Sequence, residues 1–165
     1  MSTPMIAELS AAIVGLCRTK GMLIATAESC TGGLISAAIT DIPGSSEALD
    51  RGFVTYSNAA KVDMLGVSET ILARHGAVSE ETARAMAEGV LKRSLATVSI
   101  AVTGIAGPGG GSAKKPVGRV HVALARRDRE THHEQLDLGD IGRDQVRAQT
   151  VLRALELLNE SLATD

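Results

Sequence analysis

A chain of 165 residues fits one domain and can bury a sizeable core, and its 44% hydrophobic content argues against disorder. The net charge is −2, no like-charge run exceeds "RR" or "KK", and the aromatics are one Phe and one Tyr, which excludes a basic nucleic-acid tail and a base-stacking platform. No apolar run reaches the roughly 18 residues of a membrane span. The start "MSTPMIAELS" lacks a signal-peptide pattern, and Cys17 and Cys30 have no metal-motif spacing, so a cytoplasmic protein with reduced thiols is expected.

In chain order, "STPMIAELSAAIVGLCRTKG" predicts a helix with a Ser/Thr cap, Pro4 in the first turn, apolar residues at helical spacing and Gly21 as a stop. "MLIATAE" reads as a short buried strand and "TGGLISAAITD" as a helix opened by Thr31 as N-cap. "GFVTYS" is a β-branched and aromatic strand. "NAAKVDMLG" predicts a short helix, "SETILARHG" another turn or two, and "SEETARAMAEGVLKRS" a helix capped by Ser79. "ATVSIAVTG" is a strand that runs into the glycine loop "GIAGPGGGSAKKPVG". "RVHVALAR" and "THHEQLDL" form a hairpin around "RDRE", and "RDQVRAQTVLRALELLNESL" closes the chain as a helix. Residues 1–165 read as a single domain without repeat or linker, an α/β fold with a mixed sheet between helix layers.

Three predicted strands run into unusual loops, "SCTGG", "NAAK" and "TGIAGPGGGS". If the strands are parallel neighbours, the loops converge at their carboxyl ends, where open α/β sheets bind ligands. Gly32 and Gly33 let a ligand approach the backbone, and a helix start behind Thr31 favours a phosphate or carboxylate. A capped helix with glycines chosen for packing is the plainer reading. The third loop supplies Thr103, Gly104 and Gly107 but matches neither the Walker A pattern nor the dinucleotide fingerprint. Its 15 residues without regular structure favour a function over a plain surface hairpin.

Nucleophile candidates are Ser45, Ser46, Ser57 and the serine, cysteine and threonine of "AESCTGG". A serine needs a base. His132 and His133 are adjacent and face opposite sides of a strand, His75 stands at a helix end and His121 lies inside a strand. Lys61, on a short helix after a strand end, is the alternative base if burial lowers its pKa, although a lysine is ordinarily a solvated surface residue. Cys30 near a helix start is a rival nucleophile or simply a buried thiol.

"AESCTGG", "DIPGSS", "GFVTYSNAAKVDMLGV", "HGAVSEETA", "VTGIAGPGGGSAKKPVG" and "GRDQVR", in this order over roughly residues 5 to 160, resemble the CinA C-terminal domain family. The resemblance implies a three-layer α/β/α sandwich. It also implies a serine amidohydrolase that needs no cofactor or metal and converts nicotinamide mononucleotide to nicotinic acid mononucleotide and ammonia in pyridine nucleotide recycling. It maps Ser46 to the nucleophile, Lys61 to the base and Tyr56 to a lysine-orienting or proton-relay role. Ser29, Thr103 and an arginine of the last block map to the substrate site, with Ser29 as a hydrogen-bond donor in a cradle and a substrate phosphate on the "TGG" helix start or near Arg143. Family members read G-D-R before the final x-x-V-R; here "GDIGRDQVR" displaces Asp140 from Arg143, which leaves Arg143 and Arg147 as alternatives. The activities of the larger amino-terminal domain often fused to this one are not expected. A pyridine-nucleotide binding module without turnover and an amidohydrolase for a related amide are the other readings. No nucleic-acid or membrane partner is expected, and apolar, Ala-rich helix faces leave homo-oligomerisation open.

Overall fold

A computed structural model describes residues 3–164. The elements follow as α1 (Pro4–Lys20), β1 (Ile24–Glu28), α2 (Leu34–Thr40), a 3-10 turn (Ser45–Glu47), β2 (Leu49–Val54), α3 (Asn58–Leu65), α4 (Glu69–His75), α5 (Glu80–Lys92), β3 (Val98–Gly104), β4 (Arg119–Arg126), β5 (Arg129–Asp137) and α6 (Arg143–Ala163). The caps explain several boundaries. Thr3 accepts from the Ile6 amide, Ser57 from Ala60, Ser68 from Ile71 and Ser79 from Thr82, so each helix start has one unpaired donor satisfied. The expected turn or two after Gly66 is the complete helix α4.

The sheet order is β2-β1-β3-β4-β5. β2, β1 and β3 are parallel neighbours, while β4 and β5 add antiparallel pairs. The expected mixed sheet forms, and the loops after β1, β2 and β3 leave the same end of it. β2 starts three residues earlier than its sequence suggests and stops at Val54. Thr55 still donates to the Glu28 carbonyl, but Ser57 then turns the chain into α3.

The two sheet faces differ in side-chain size. Ile24, Val98, Ile100, Val102, Val120, Val122 and Leu124 pack with α1, α2 and α6. Ala25, Ala27, Ala101, Ala123 and Ala125 face the other layer, where α5 lies flat on the sheet with Met86, Ala87 and Val90 buried. Small residues on a strand face let a helix approach closely, and close packing in turn makes added volume costly. α3 meets α5 at Gly89, where a Cβ would stand 2.2 Å from the Leu65 carbonyl oxygen.

That contact seats the helix carrying Lys61. Gly89→Ala is expected to destabilise the fold by about 1–3 kcal/mol through overpacking, despite the better helix propensity of alanine. Thermal unfolding checks this: a melting temperature at or above wild type would mean that α3 does not press on α5.

Candidate functional site

β1 ends at Glu28, and Ser29 is the first residue beyond it. The strand's alternation sends consecutive side chains to opposite faces, so Glu28 points to the α2 side and Ser29 to the α3 side. On the α3 side Ser29 meets Lys61. The lysine is 1% exposed, and its Nζ lies 3.0 Å from Ser29 Oγ, 2.8 Å from the Thr55 carbonyl oxygen and 3.3 Å from the Tyr56 carbonyl oxygen. No carboxylate pairs with it among the described residues. Burial without a counter-ion holds the Lys61 pKa below its ordinary value.

The three neighbours determine what the amine can do once it has lost its proton. A carbonyl oxygen only accepts, so both N–H bonds of a neutral amine go to Thr55 and Tyr56. The lone pair is then left for the one neighbour that can donate, the Ser29 hydroxyl. A base within hydrogen-bond reach of a hydroxyl is the geometry that activates a serine.

The expected Ser46–Lys61 pair does not form. Ser46 is exposed on the 3-10 turn that enters the amino-terminal end of β2, whereas Lys61 sits beyond the carboxyl ends of β1 and β2. The six residues of β2 alone separate the two ends by roughly 20 Å of extended backbone. Ser29 takes the place next to the lysine. Of the lysine-orienting or proton-relay role expected of Tyr56, the backbone takes part in holding Lys61 and the phenol is turned to Arg143. Its carbonyl serves Lys61, but its phenol oxygen lies 3.1 Å from Arg143 Nη2, and the residue is 61% exposed.

The loop after Ser29 also differs from expectation. Gly33, not Thr31, stands at the N-cap of α2. The helix start is filled by Glu28, a fully buried carboxylate. Its Oε1 accepts from the Thr31 hydroxyl at 2.6 Å and the Ile35 amide at 2.9 Å, and its Oε2 accepts from the Ser36 amide at 3.1 Å. The group that meets this helix start is therefore the protein's own carboxyl side chain. Thr31, Gly32 and Gly33 lie outside the lining of the cleft. Glu28 carries no signal in the sequence that would separate it from a surface glutamate, because two of its partners are α2 amides, which have no side-chain signature.

A cleft of about 250 Å³ opens over Ser29 and Lys61. Cys30, Tyr56, Ala77, Val78, Thr103 to Gly107, Gly109, Gly110 and Arg143 complete its walls, and no acidic residue is among them. Of the expected substrate residues, Ser29, Thr103, Gly104, Gly107 and Arg143 are brought together here. The Thr103 hydroxyl is already committed, donating to the Ala77 carbonyl at 2.8 Å. Gly107 has φ +83°, and a Cβ there would also meet Val117 at 2.6 Å, so the bend over the cleft requires glycine. Arg143 crosses the rim, donating to the Gly107 carbonyl at 2.9 Å and meeting the Tyr56 phenol. Arg147, one turn on, does not line the cleft and instead donates to the carbonyls of Cys30 and Thr31 at 3.1 and 3.3 Å. Burial pushes the Cys30 thiol up to about 11, with the nearby Glu28 charge in the same direction, so it is not poised as a thiolate.

None of the four histidines lines the cleft. His121 and His133 stack on each other 2.9 Å apart, N to N, and burial together with His133 lowers the His121 pKa to about 4. His132 points the other way, toward Glu134. Among the described residues no cluster of three or more His, Cys, Asp or Glu side chains is placed to hold a metal ion, and no helix is long and apolar enough to cross a membrane.

The family model for the CinA C-terminal domain matches residues 6–162. A protein of Enterobacter agglomerans named nicotinamide-nucleotide amidohydrolase PncC is 52% identical over 94% of each chain. Putative competence-damage inducible proteins of Caldicellulosiruptor bescii and Symbiobacterium thermophilum are 47% and 52% identical, but this chain spans only 37% and 38% of their length. The crystal structure of the competence/damage inducible protein CihA from Agrobacterium tumefaciens superposes with a TM-score of 0.95 at 53% identity, covering 98% of this chain and 99% of that one. A CinA superfamily protein from Escherichia coli superposes with a TM-score of 0.89 at 33% identity, covering 97% of this chain and 93% of that one.

The buried amine predicts a pH effect on stability. The folded pKa of Lys61 lies below the value of 10.5 that the unfolded chain regains, so between the two the unfolded state holds a proton the folded state has released. The cost of burying the cation is then full below the folded pKa and relieved as pH rises toward 10.5. Urea unfolding of wild type and Lys61→Met across neutral to alkaline pH should show the wild type gaining on the variant as pH rises. A pH-independent difference would show that Lys61 titrates normally.

Proposed function

Because this chain belongs to the CinA C-terminal domain family, we propose that it hydrolyses the carboxamide of nicotinamide mononucleotide, with Ser29 as nucleophile and Lys61 as its base. The observation that carries this reading is the buried Nζ of Lys61, held by two carbonyls and 3.0 Å from the Ser29 hydroxyl, with no carboxylate beside it among the described residues. The similarity to the Enterobacter agglomerans amidohydrolase over nearly the whole of both chains supports the choice of substrate.

In the proposed sequence the neutral Lys61 amine takes the Ser29 proton as the serine oxygen bonds to the carboxamide carbon. The C=O electron pair moves onto oxygen, giving a tetrahedral oxyanion. Its collapse breaks the C–N bond, and the proton held by Lys61 goes to the leaving nitrogen, so ammonia departs. Water then attacks the serine ester with Lys61 again as base, the ester C–O bond breaks, and the proton returns to Ser29. Nicotinic acid mononucleotide leaves. Arg143 is the cation at the rim of the cleft, and its guanidinium meets the substrate phosphate.

Ammonia release from nicotinamide mononucleotide tests the assignment. Ser29→Ala and Lys61→Ala should each lose turnover by about a thousandfold or more, and the double variant should lose little beyond either, since the two act as one unit. Ser46→Ala should stay within about twofold of wild type, as expected for an exposed site remote from the cleft. Loss of activity in Ser46→Ala with Ser29→Ala unaffected would overturn the choice of nucleophile; substrate binding without ammonia release by wild type would overturn the enzyme reading. kcat/KM should rise with pH through the lowered pKa of Lys61 and level off above it. Arg143→Ala should raise KM for the mononucleotide more than it lowers kcat; an unchanged KM would remove Arg143 from phosphate binding.

A further inference from the structure

β3 runs past the end of β1, and the strand edge it leaves there borders the cleft. In a strand, the N–H and C=O of one residue point to the same side, and successive residues alternate between sides. Ile105 bonds the β4 side with both groups: its N–H donates to the Arg119 carbonyl at 2.9 Å, and its C=O accepts from the Gly118 amide at 2.8 Å. Val102 serves the β1 side, where its carbonyl accepts from the Ser29 amide at 3.1 Å. Gly104 is the next residue of that set, so its N–H and its C=O both point toward the line of β1. The ladder partner due to its N–H is the Ser29 carbonyl, but that carbonyl accepts from the Gly32 amide as the chain turns out of the sheet. Among the described residues, no loop or side chain engages either main-chain group of Gly104. Where β1 would have continued the ladder, the cleft opens instead, with Ser29, Lys61 and Gly104 in its walls.

We propose that the main chain of Gly104 reads the substrate carboxamide: its N–H donates to the carboxamide oxygen, and its C=O accepts from the carboxamide NH2. The assignment rests on the amidohydrolase reading above and deepens it. A primary carboxamide presents one acceptor and one donor side by side, the complement of an N–H and a C=O from a single residue. Neighbouring strands lie about 4.8 Å apart, so a group held on this edge stands beside Ser29, the last residue on the line of β1 to bond β3. As the Ser29 oxygen bonds to the carboxamide carbon, the charge that develops on the carboxamide oxygen meets the Gly104 N–H, a donor already fixed by the strand. The same pair sorts substrate from product. A carboxylate has no N–H for the Gly104 C=O and sets an oxygen against it, so the acid is held less well once ammonia has gone.

Side-chain replacement at Gly104 is no clean probe, because a Cβ there would stand 2.6 Å from Val120 Cγ2 and 2.9 Å from the Arg119 carbonyl oxygen. The test is the backbone amide resonance of Gly104 in isotope-labelled Ser29→Ala, titrated with nicotinamide mononucleotide, its acetylpyridine analogue and nicotinic acid mononucleotide. The amide nucleotide should move the Gly104 N–H downfield at saturation, the mark of a new acceptor. The acetyl analogue keeps the oxygen but lacks the N–H and should bind about tenfold more weakly, and the acid should bind more weakly by about tenfold or more. A Gly104 resonance left in place at saturation, or equal affinity for all three compounds, would overturn the assignment. Free nicotinamide against nicotinate gives a reading independent of the nucleotide. If wild type does not hydrolyse the mononucleotide, the proposed substrate fails, and this pair alone decides: a downfield shift of Gly104 with nicotinamide but not with nicotinate supports the carboxamide contact, and a shift with both or with neither overturns it.

Discussion

The arrangement hangs on the burial of one amine. Removing an unpaired ammonium from water is costly, and a lysine so placed tends to give up its charge rather than stay charged without a partner. Lys61 is offered two carbonyl oxygens and a hydroxyl but no carboxylate. The carbonyls belong to Thr55 and Tyr56, just past the end of β2, and the hydroxyl stands just past the end of β1. Their meeting depends on the parallel pairing of β1 and β2, which brings both strand ends to one edge of the sheet. It also depends on α3 pressing against α5 at Gly89, and on the alanine-lined sheet face that lets α5 lie close.

Charge is divided across β1 with the pleat as partition. Glu28 and Ser29 are adjacent in sequence, yet the carboxylate is consumed by the start of α2 on one face while the hydroxyl meets the amine on the other. Had Glu28 faced α3, it would pair with Lys61 and raise its pKa, opposing the lowering that burial brings. The same carboxylate braces the loop that carries Ser29. The Ser29 amide bonds the Val102 carbonyl, and Arg147 grips the loop from α6, so the loop is held from β3, α2 and α6 together.

The rim is built from weaker and more exposed contacts. Arg143 joins α6 to the phenol of Tyr56 and to the carbonyl of Gly107, tying the loop after β2 to the glycine loop after β3. A guanidinium that meets one phenol oxygen and one carbonyl keeps donors to spare for an anion. The floor of the cleft is buried, and its mouth is polar and open, a division suited to a small molecule whose reacting group goes in first.

Much of this was legible from residues alone. The helix caps, the buried β1, the hairpin and the mixed sheet follow from local pattern, and so does the convergence of three loops, because parallel strands must release their chains at the same end. Lys61 stood out by its place after a strand end. The identity of its partner did not. "PGSS" and "ESC" each offer a serine, and sequence distance to Lys61 favours the wrong one: Ser46 is 15 positions away and Ser29 is 32, but β2 runs between Ser46 and the site. Thr31 has the composition of an N-cap, yet a carboxylate from the preceding strand reaches the helix start first. The carbonyls of Thr55 and Tyr56 have no side-chain signature at all, and Arg143 and Arg147 differ in role only because α6 turns one toward the rim and the other beneath the loop. Local propensity and periodicity determined the elements; which buried groups meet, and hence which serine faces the amine, was decided by strand order and pleat, which are properties of the assembled sheet.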